Sequence, residues 1–280
     1  MDPQELRAEQ LERWERAAAG WGRQASRLRD TSAAVSEWMV DQLALEPGQT
    51  VLELAAGPGD TGFAAARRIA PGKLISSDAT EAMLALARAR AQEQRIENVE
   101  FKQLQLEWID LPAASVDAVL CRWGVMLLLD PGAAASEIRR VLRPGGRVAM
   151  AAWDGPERNP WATIPGRALV ELGHAEPPEP NQPGMFALAS PDKFRGLLES
   201  AGFLEVVVEG IELDRSYGGV EEFLAETLDF SRIFADVWER LSDAERAELS
   251  QTIASSLAGF QKKDGSLLVP GRTLAAAASA

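Results

Sequence analysis

Val51-Leu52-Glu53-Leu54-Ala55-Ala56-Gly57-Pro58-Gly59-Asp60-Thr61-Gly62 reads as a short buried strand with a carboxylate near its end, a tight turn of small residues, and the start of a helix. Small residues in such a turn let a ligand lie directly on the backbone. Taken literally, Gly57, Gly59 and Gly62 satisfy GxGxxG spacing, and Asp78 ends the next strand, where a carboxylate can grip ribose hydroxyls. Glu53 separates two readings of that motif. A carboxylate inside the first strand can help hold an α-amino group, whereas a pyrophosphate gains nothing from the charge.

Upstream, Leu11, Trp14, Ala18, Trp21, Ala25 and Leu28 recur at spacings of three and four, one face of a helix over Glu5 to Leu28 that Gly20 and Gly22 should break or bend. A second helix is expected over Ser32 to Leu45. Downstream come a helix to about Ala70, a strand over Lys73 to Ser77, a helix with Thr80 as N-cap ending near Gln94, and strands over Val99 to Gln103 and Val116 to Cys121. A helix over Ala133 to Leu142, the turn Pro144-Gly145-Gly146 and a strand over Arg147 to Trp153 follow. Strands alternating with helices in this way predict a parallel, doubly wound sheet. The proline-bearing stretch Gly155 to Ser190, with Pro177, Pro178, Pro180 and Pro183, reads as a short helix and a long loop of the kind that forms lids. A helix over Pro191 to Ala201, a strand over Leu204 to Leu213, helices over Val220 to Phe234 and Ser242 to Phe260, and a strand near Arg272 to Ala278 complete the chain.

The chain has 280 residues, 46% apolar and 25% charged, with 29 Lys and Arg against 42 Asp and Glu, so its net charge is −13. A surface this acidic opposes nucleic acid and anionic membranes. One Cys and one His exclude a disulfide framework and argue against a metal site of ordinary ligand type. No leader pattern and no apolar run of membrane-spanning length occurs, so a cytoplasmic location is expected.

From about Leu43 to Ala280 the chain resembles the class I S-adenosylmethionine-dependent methyltransferases, the group that includes quinone-biosynthesis and many small-molecule enzymes. Val51 to Gly62 resembles their first motif, and Ile75-Ser76-Ser77-Asp78-Ala79-Thr80-Glu81-Ala82-Met83-Leu84 their ribose-binding stretch. Val116-Asp117-Ala118-Val119-Leu120-Cys121-Arg122-Trp123 resembles the fourth strand, and Val141-Leu142-Arg143-Pro144-Gly145-Gly146 the turn into the fifth. The resemblance implies an α/β, Rossmann-like, doubly wound seven-stranded sheet with its last strand pair antiparallel. It also implies one domain over 1–280: a helical cap (1–45), a cofactor-binding core (46–154), a lid insert (155–190), and C-terminal helices with closing strands (191–280).

By position, the resemblance assigns Glu53, Gly57 and Gly59 to the methionine half of S-adenosyl-L-methionine, Asp78 to the ribose, Met83 to a face of the adenine, and Glu107 and Trp108 to the adenine edge. Ala55, Ala79 and Cys121 complete the cofactor-binding positions. Ala55 stands where the family has its first glycine, and alanine is tolerated there if its backbone φ is negative. Cys121 also reads as a small core residue.

Trp108, Trp123 and Trp153 each follow a strand's carboxyl end, the ligand side of an open α/β sheet. With Trp21 on the first helix and Trp161 in the lid, Trp123 and Trp153 are expected to wall a pocket for an apolar or aromatic acceptor. Asn159-Pro160-Trp161 follows the fifth strand rather than the fourth, which argues against the Asn-Pro-Pro-aromatic signature of nucleic-acid amino methyltransferases. Cys121-Arg122 occupies the fourth-strand end where magnesium-dependent relatives carry a carboxylate, so metal-independent methyl transfer is expected. His174, Asp154 and Glu157 are the candidate bases, and S-adenosyl-L-homocysteine would be the product. A small-molecule acceptor is the expected partner, with no nucleic acid and no stable membrane association. The rival readings are a nicotinamide-dependent oxidoreductase and a non-catalytic S-adenosylmethionine-binding protein.

Overall fold

The alternation read from the sequence is realised in three dimensions. The computed structural model describes residues 3–177 and 184–280. Helices α1 (Pro3–Arg23), α2 (Ala25–Thr31) and α3 (Ala33–Gln42) precede β1 (Thr50–Leu54), α4 (Asp60–Ile69), β2 (Lys73–Asp78), α5 (Glu81–Glu93), β3 (Val99–Gln103) and β4 (Val116–Arg122). After these come α6 (Pro131–Val141), β5 (Leu142–Trp153), α7 (Pro160–Glu171), α8 (Pro191–Ser200), β6 (Leu204–Glu212) and β7 (Arg215–Tyr217). The chain ends with α9 (Val220–Phe230), α10 (Arg232–Trp238), α11 (Asp243–Leu257), β8 (Leu267–Val269) and β9 (Arg272–Ser279).

Seven strands form one sheet in the order β3-β2-β1-β4-β5-β9-β6. The first five run parallel, and β9 is antiparallel to both its neighbours. This is the expected Rossmann-like class with an inverted final strand. The chain proceeds from β1 to β2 on one side and reaches β4 on the other, so a crevice opens above the carboxyl ends of β1 and β4. Beneath it Val51, Leu52, Leu54, Val119, Leu120 and Val148 are fully buried, as strands covered by helices on both faces require. Ala275 to Ala278 in β9 are buried between β5 and β6, where burial overrides the weak strand propensity of alanine.

Three local expectations are corrected. The helix expected over Glu5 to Leu28 does break, at Gln24 between α1 and α2, but it runs unbroken through Gly20 and Gly22, and Gly20 serves packing: a Cβ on it would lie 2.3 Å from the Asp229 carbonyl oxygen of α9. The helix expected over Val220 to Phe234 divides at Ser231, whose hydroxyl accepts the Phe234 N–H at 3.2 Å and caps α10. Strands β7 and β8, too short to show a period, pair into a separate two-stranded sheet. They cover a second apolar cluster built from Ile164, Phe223, Leu249 and Ile253. The described part of Gly155 to Ser190 packs against that cluster through α7, while Met185 and Phe186 lean on the main core. Pro178, Pro180 and Pro183 of the expected lid lie outside the described residues.

Close approach at Gly20 makes a specific demand. Gly20→Ala should push α1 away from α9 and lower the melting temperature by several degrees. Gly166→Ala, in α7 where nothing lies within 4 Å of the added methyl, should stabilise the protein by about 0.5–1 kcal/mol. Thermal unfolding of both variants checks the contrast, and a stabilising Gly20→Ala would contradict the close packing of α1.

Candidate active site

A cavity opens above the carboxyl ends of β1, β2 and β4, floored by the Ala55 to Pro58 turn and roofed by α1. Glu53, Ala55, Gly57, Asp78, Ala79, Met83, Glu107, Trp21 and Trp123 all line it. Segments far apart in the sequence therefore converge here.

The turn is set by carboxylates. Glu53 is buried, and its oxygens accept the Gly62 N–H at 2.6 Å and the Ser76 hydroxyl at 2.9 Å. A Cβ on Gly62 would lie 2.1 Å from Glu53 Oε2, so this glycine lets α4 start directly over the carboxylate. Asp78 accepts the Gly57 N–H at 3.0 Å, and its other oxygen accepts the Thr80 N–H and hydroxyl, each at 3.1 Å. Thr80 thus occupies the N-cap position with its hydroxyl turned to Asp78. The first turn of α5 is met instead from α1, where Glu15 accepts the Ala82 N–H at 3.2 Å. Asp78 keeps lone-pair capacity toward the cavity, since a carboxylate offers about four acceptor sites.

Two backbone positions are unusual. Ala55 has φ of +50° and Trp123 φ of +60°, left-handed conformations that cost a non-glycine residue roughly 1–2 kcal/mol. The condition under which alanine replaces glycine freely at position 55 is therefore not met. Gly124 makes room for it: a Cβ there would lie 2.6 Å from the Ala55 methyl and 3.0 Å from Cys121 Sγ. Gly57, also left-handed at φ of +51°, has open space where a side chain would project, which leaves the cavity floor bare.

Several expected residues fall elsewhere. Cys121 is fully buried, its thiol pushed up to about 12 by that burial, and its side chain lies in the core rather than on the cavity wall. Trp108 is 75% exposed and does not line the cavity. Glu107 does, but its carboxylate is engaged by Arg7 at 3.0 and 3.3 Å and by the Asp130 N–H at 3.2 Å, so it latches α1 over the site.

Trp153 stacks on Trp123 at 4.2 Å, and Trp161 meets Trp153 edge-on at 4.9 Å. Of these three rings only Trp123 faces the cavity. The Trp161 indole N–H is spent on Asn159 Oδ1 at 3.1 Å. Buried Asn159 also donates to the carbonyls of Asp154, Gly155 and Arg272 and accepts the Arg272 N–H. Asn159-Pro160-Trp161 is thus a structural clamp between β5, α7 and β9. None of the candidate bases lines the cavity: Asp154 pairs with Arg272 at 3.2 Å, Glu157 folds back toward Gly155, and His174 lies beyond α7 within electrostatic reach of Glu245.

The sequence reading missed Arg7, Gln10 and Leu11 on α1, Leu127 and Leu128 after β4, and Arg122 at the β4 end, all of which line the cavity. The helical period marked one face of α1 without revealing what it would cover. Among the described residues, no group of three or more His, Cys, Asp or Glu is placed to hold a metal ion, and no helix is long and apolar enough to cross a membrane.

Residues 51–146 match the family model described as a methyltransferase domain. That segment, which carries the glycine turn, Asp78 and the β4 end, is similar to a methyltransferase domain. The chain is 37% identical over 108 residues to an arsenite methyltransferase of Halobacterium salinarum, an alignment covering 38% of this chain and 28% of that protein. It is 32% identical over 119 residues to a ubiquinone/menaquinone biosynthesis C-methyltransferase of Hahella chejuensis, covering 42% and 48%. The chain thus spans less than half the length of these curated relatives. A candidate methyltransferase of Bacillus halodurans shares the fold beyond the matched segment, with TM-score 0.59 and 20% identity over 87% of this chain and 97% of that one.

Burial pushes the Glu53 carboxyl up to about 8 against the hydrogen bonds from Ser76 and Gly62. A carboxyl with its native pKa above its unfolded value binds the proton more tightly when folded. Ionising it therefore destabilises the ligand-free protein increasingly as pH rises from about 4.5 to about 8. Glu53→Gln should match wild type in urea midpoint near pH 5 and exceed it near pH 8.5. A constant offset across that range would show that Glu53 does not titrate there.

Proposed function

We propose that this protein transfers a methyl group from S-adenosyl-L-methionine to a small apolar or aromatic acceptor, leaving S-adenosyl-L-homocysteine. One observation carries the reading: the bare glycine turn, the Asp78 carboxylate and an indole wall meet in one cavity beneath α1. The residues present suit the cofactor. Gly57 leaves open space over the turn, Asp78 has acceptor capacity for two ribose hydroxyls, and buried Met83 offers an apolar surface for a purine. Glu53, with Gly57 and Gly59, would attend the amino-acid half, where an ammonium group favours the ionised carboxylate. Ala79 flanks Asp78 on the cavity wall.

When bound, the cofactor supplies a methyl carbon already activated by its sulfonium sulfur. The protein's contribution is alignment and exclusion of water. Trp21 and Trp123, with Leu127 and Leu128, would hold a flat or apolar acceptor against the floor, and such positioning can supply about 7–11 kcal/mol of the barrier. With no candidate base on the cavity wall, the acceptor would bring its own nucleophilic character, as a thiol, an amine or a stabilised carbanion does. The roof is polar at its rim: Arg7 holds Glu107, and Gln10 donates to the Leu127 carbonyl at 3.2 Å. Together with α1 these contacts cover part of the cavity. The acidic surface and the lack of a membrane-crossing helix among the described residues favour a small-molecule partner in the cytoplasm.

Titration decides between this reading and a nicotinamide site. S-adenosyl-L-homocysteine should raise the melting temperature and NADH fluorescence should not change, because a pyrophosphate gains nothing from the buried Glu53 carboxyl. Asp78→Ala should weaken S-adenosyl-L-homocysteine by roughly 10- to 100-fold, through loss of hydrogen bonds worth about 1.5–3 kcal/mol each. Absence of calorimetric heat with the wild-type protein would overturn the cofactor assignment.

A further inference from the structure

Three indoles pack in series, Trp123 stacked on Trp153 and Trp161 edge-on to Trp153, and a guanidinium lies over the ring at each end. Arg215 lies 4.2 Å over the Trp161 ring and Arg122 lies 4.5 Å over the Trp123 ring. The two caps have different fates. Arg215 is buried with its charge answered, donating to Glu226 at 2.6 Å and to the Tyr217 hydroxyl at 3.0 Å. Arg122 lines the cavity, and its Nη1 is buried without a hydrogen-bond partner among the described residues. Asp60 and Glu53 act on it electrostatically without a hydrogen bond to it; Glu53 is engaged by Gly62 and Ser76, and Asp60 gives Oδ1 to Arg90 while its Oδ2 is buried without a hydrogen-bond partner among the described residues.

A second donor on the same cavity is in the same condition. The Trp21 Nε1–H, on α1, is buried and unpartnered among the described residues. Leaving a buried donor unsatisfied is costly, and more so for a charged one. Two such donors lining one cavity can both serve an acceptor from outside the chain. A planar guanidinium fork and a neutral N–H opening on the same cavity suit a carboxylate.

We propose that Arg122 and the Trp21 indole N–H form a carboxylate subsite in the cavity. The inference deepens the methyl-transfer reading and rests on it for the identity of the ligand. The carboxylate has two possible sources, the amino-acid half of the cofactor or an acceptor that is itself a carboxylic acid. Either source would match the guanidinium in charge and complete the hydrogen bonding of the Trp123 end of the column. Trp123 then acts as a positioning residue, its ring holding the guanidinium face while its N–H is anchored on Thr273 Oγ1 at 2.9 Å.

The test uses the full chain with Arg122→Met, Arg122→Lys and Trp21→Phe. Calorimetry compares S-adenosyl-L-homocysteine with 5′-methylthioadenosine, which keeps the adenosine and thioether but lacks the amino acid. Benzoate is then titrated into S-adenosyl-L-homocysteine-saturated protein and followed by melting temperature. If the cofactor supplies the carboxylate, Arg122→Met weakens S-adenosyl-L-homocysteine about ten-fold or more. Binding of 5′-methylthioadenosine stays unchanged, and Lys restores part of the loss. If the acceptor supplies it, S-adenosyl-L-homocysteine affinity holds, and benzoate stabilises wild type but not Arg122→Met. Trp21→Phe, which keeps a ring and loses the N–H, should move the same ligand in the same direction by a smaller factor. If neither ligand responds to any of the three substitutions, the subsite does not exist. If wild type binds neither adenosine ligand, the methyl-transfer reading fails separately, and benzoate stabilisation of the ligand-free protein, lost in Arg122→Met, still decides the anion subsite.

Discussion

The Glu53 carboxylate, buried beneath the glycine turn, ties three elements together: it stands in β1, accepts the Ser76 hydroxyl of β2 and accepts the Gly62 N–H in the first turn of α4. A carboxyl group in that position is unfavourable unless its polar atoms are hydrogen-bonded, so its partners are constrained in turn. Gly62 cannot carry a side chain, because a Cβ would meet the carboxylate. Helix α4 then begins close over β1, the Ala55 to Gly59 turn is compressed between them, and the Gly57 N–H faces Asp78 at the end of β2. The shape of the cavity floor follows from where one carboxylate finds its donors.

The roof is held differently. Helix α1 contributes Ala17, Ala18, Trp14 and Trp21 to a small apolar cluster with Met83, and around that patch lies a ring of polar ties. Arg7 meets Glu107, Glu15 caps α5, and Arg23 and Gln24 both donate to Asp229 on α9. Solvent-exposed pairs of this kind contribute about 0–1 kcal/mol each. Their combined effect is to fix the register of α1 rather than to add much stability. Held in that register, Trp21 brings its ring and its N–H to the cavity.

The aromatic column shows how packing redistributes roles among similar residues. Trp123, Trp153 and Trp161 all reach the ligand side of the sheet or its neighbourhood, yet only the first faces the cavity, because the second fills the space behind it and the third is bonded to Asn159. The left-handed backbone at Trp123 turns its ring across the end of β4. The Trp123 indole N–H is anchored on Thr273 Oγ1 of β9.

What the sequence by itself determined is what depends on local geometry. The strand, turn and helix of Val51 to Gly62, the place of Asp78 one strand later, and the parallel alternation through Trp153 are set by residue spacing, which hydrogen bonding within a few residues enforces. The tertiary structure alone decided which side chains meet. Arg122 reads in the sequence as a cation at a strand end, and only the nearby Trp123 ring and an Nη1 without a hydrogen-bond partner among the described residues mark it as unusual. Gly20 reads as a helix breaker until α9, some 209 residues away, supplies the carbonyl that requires it. Alternation along a strand assigns a face, but not what will stand opposite it. Contacts between distant segments carry no periodic signal in either segment, so the roof, the aromatic column and its unanswered guanidinium emerge only when the chain is folded.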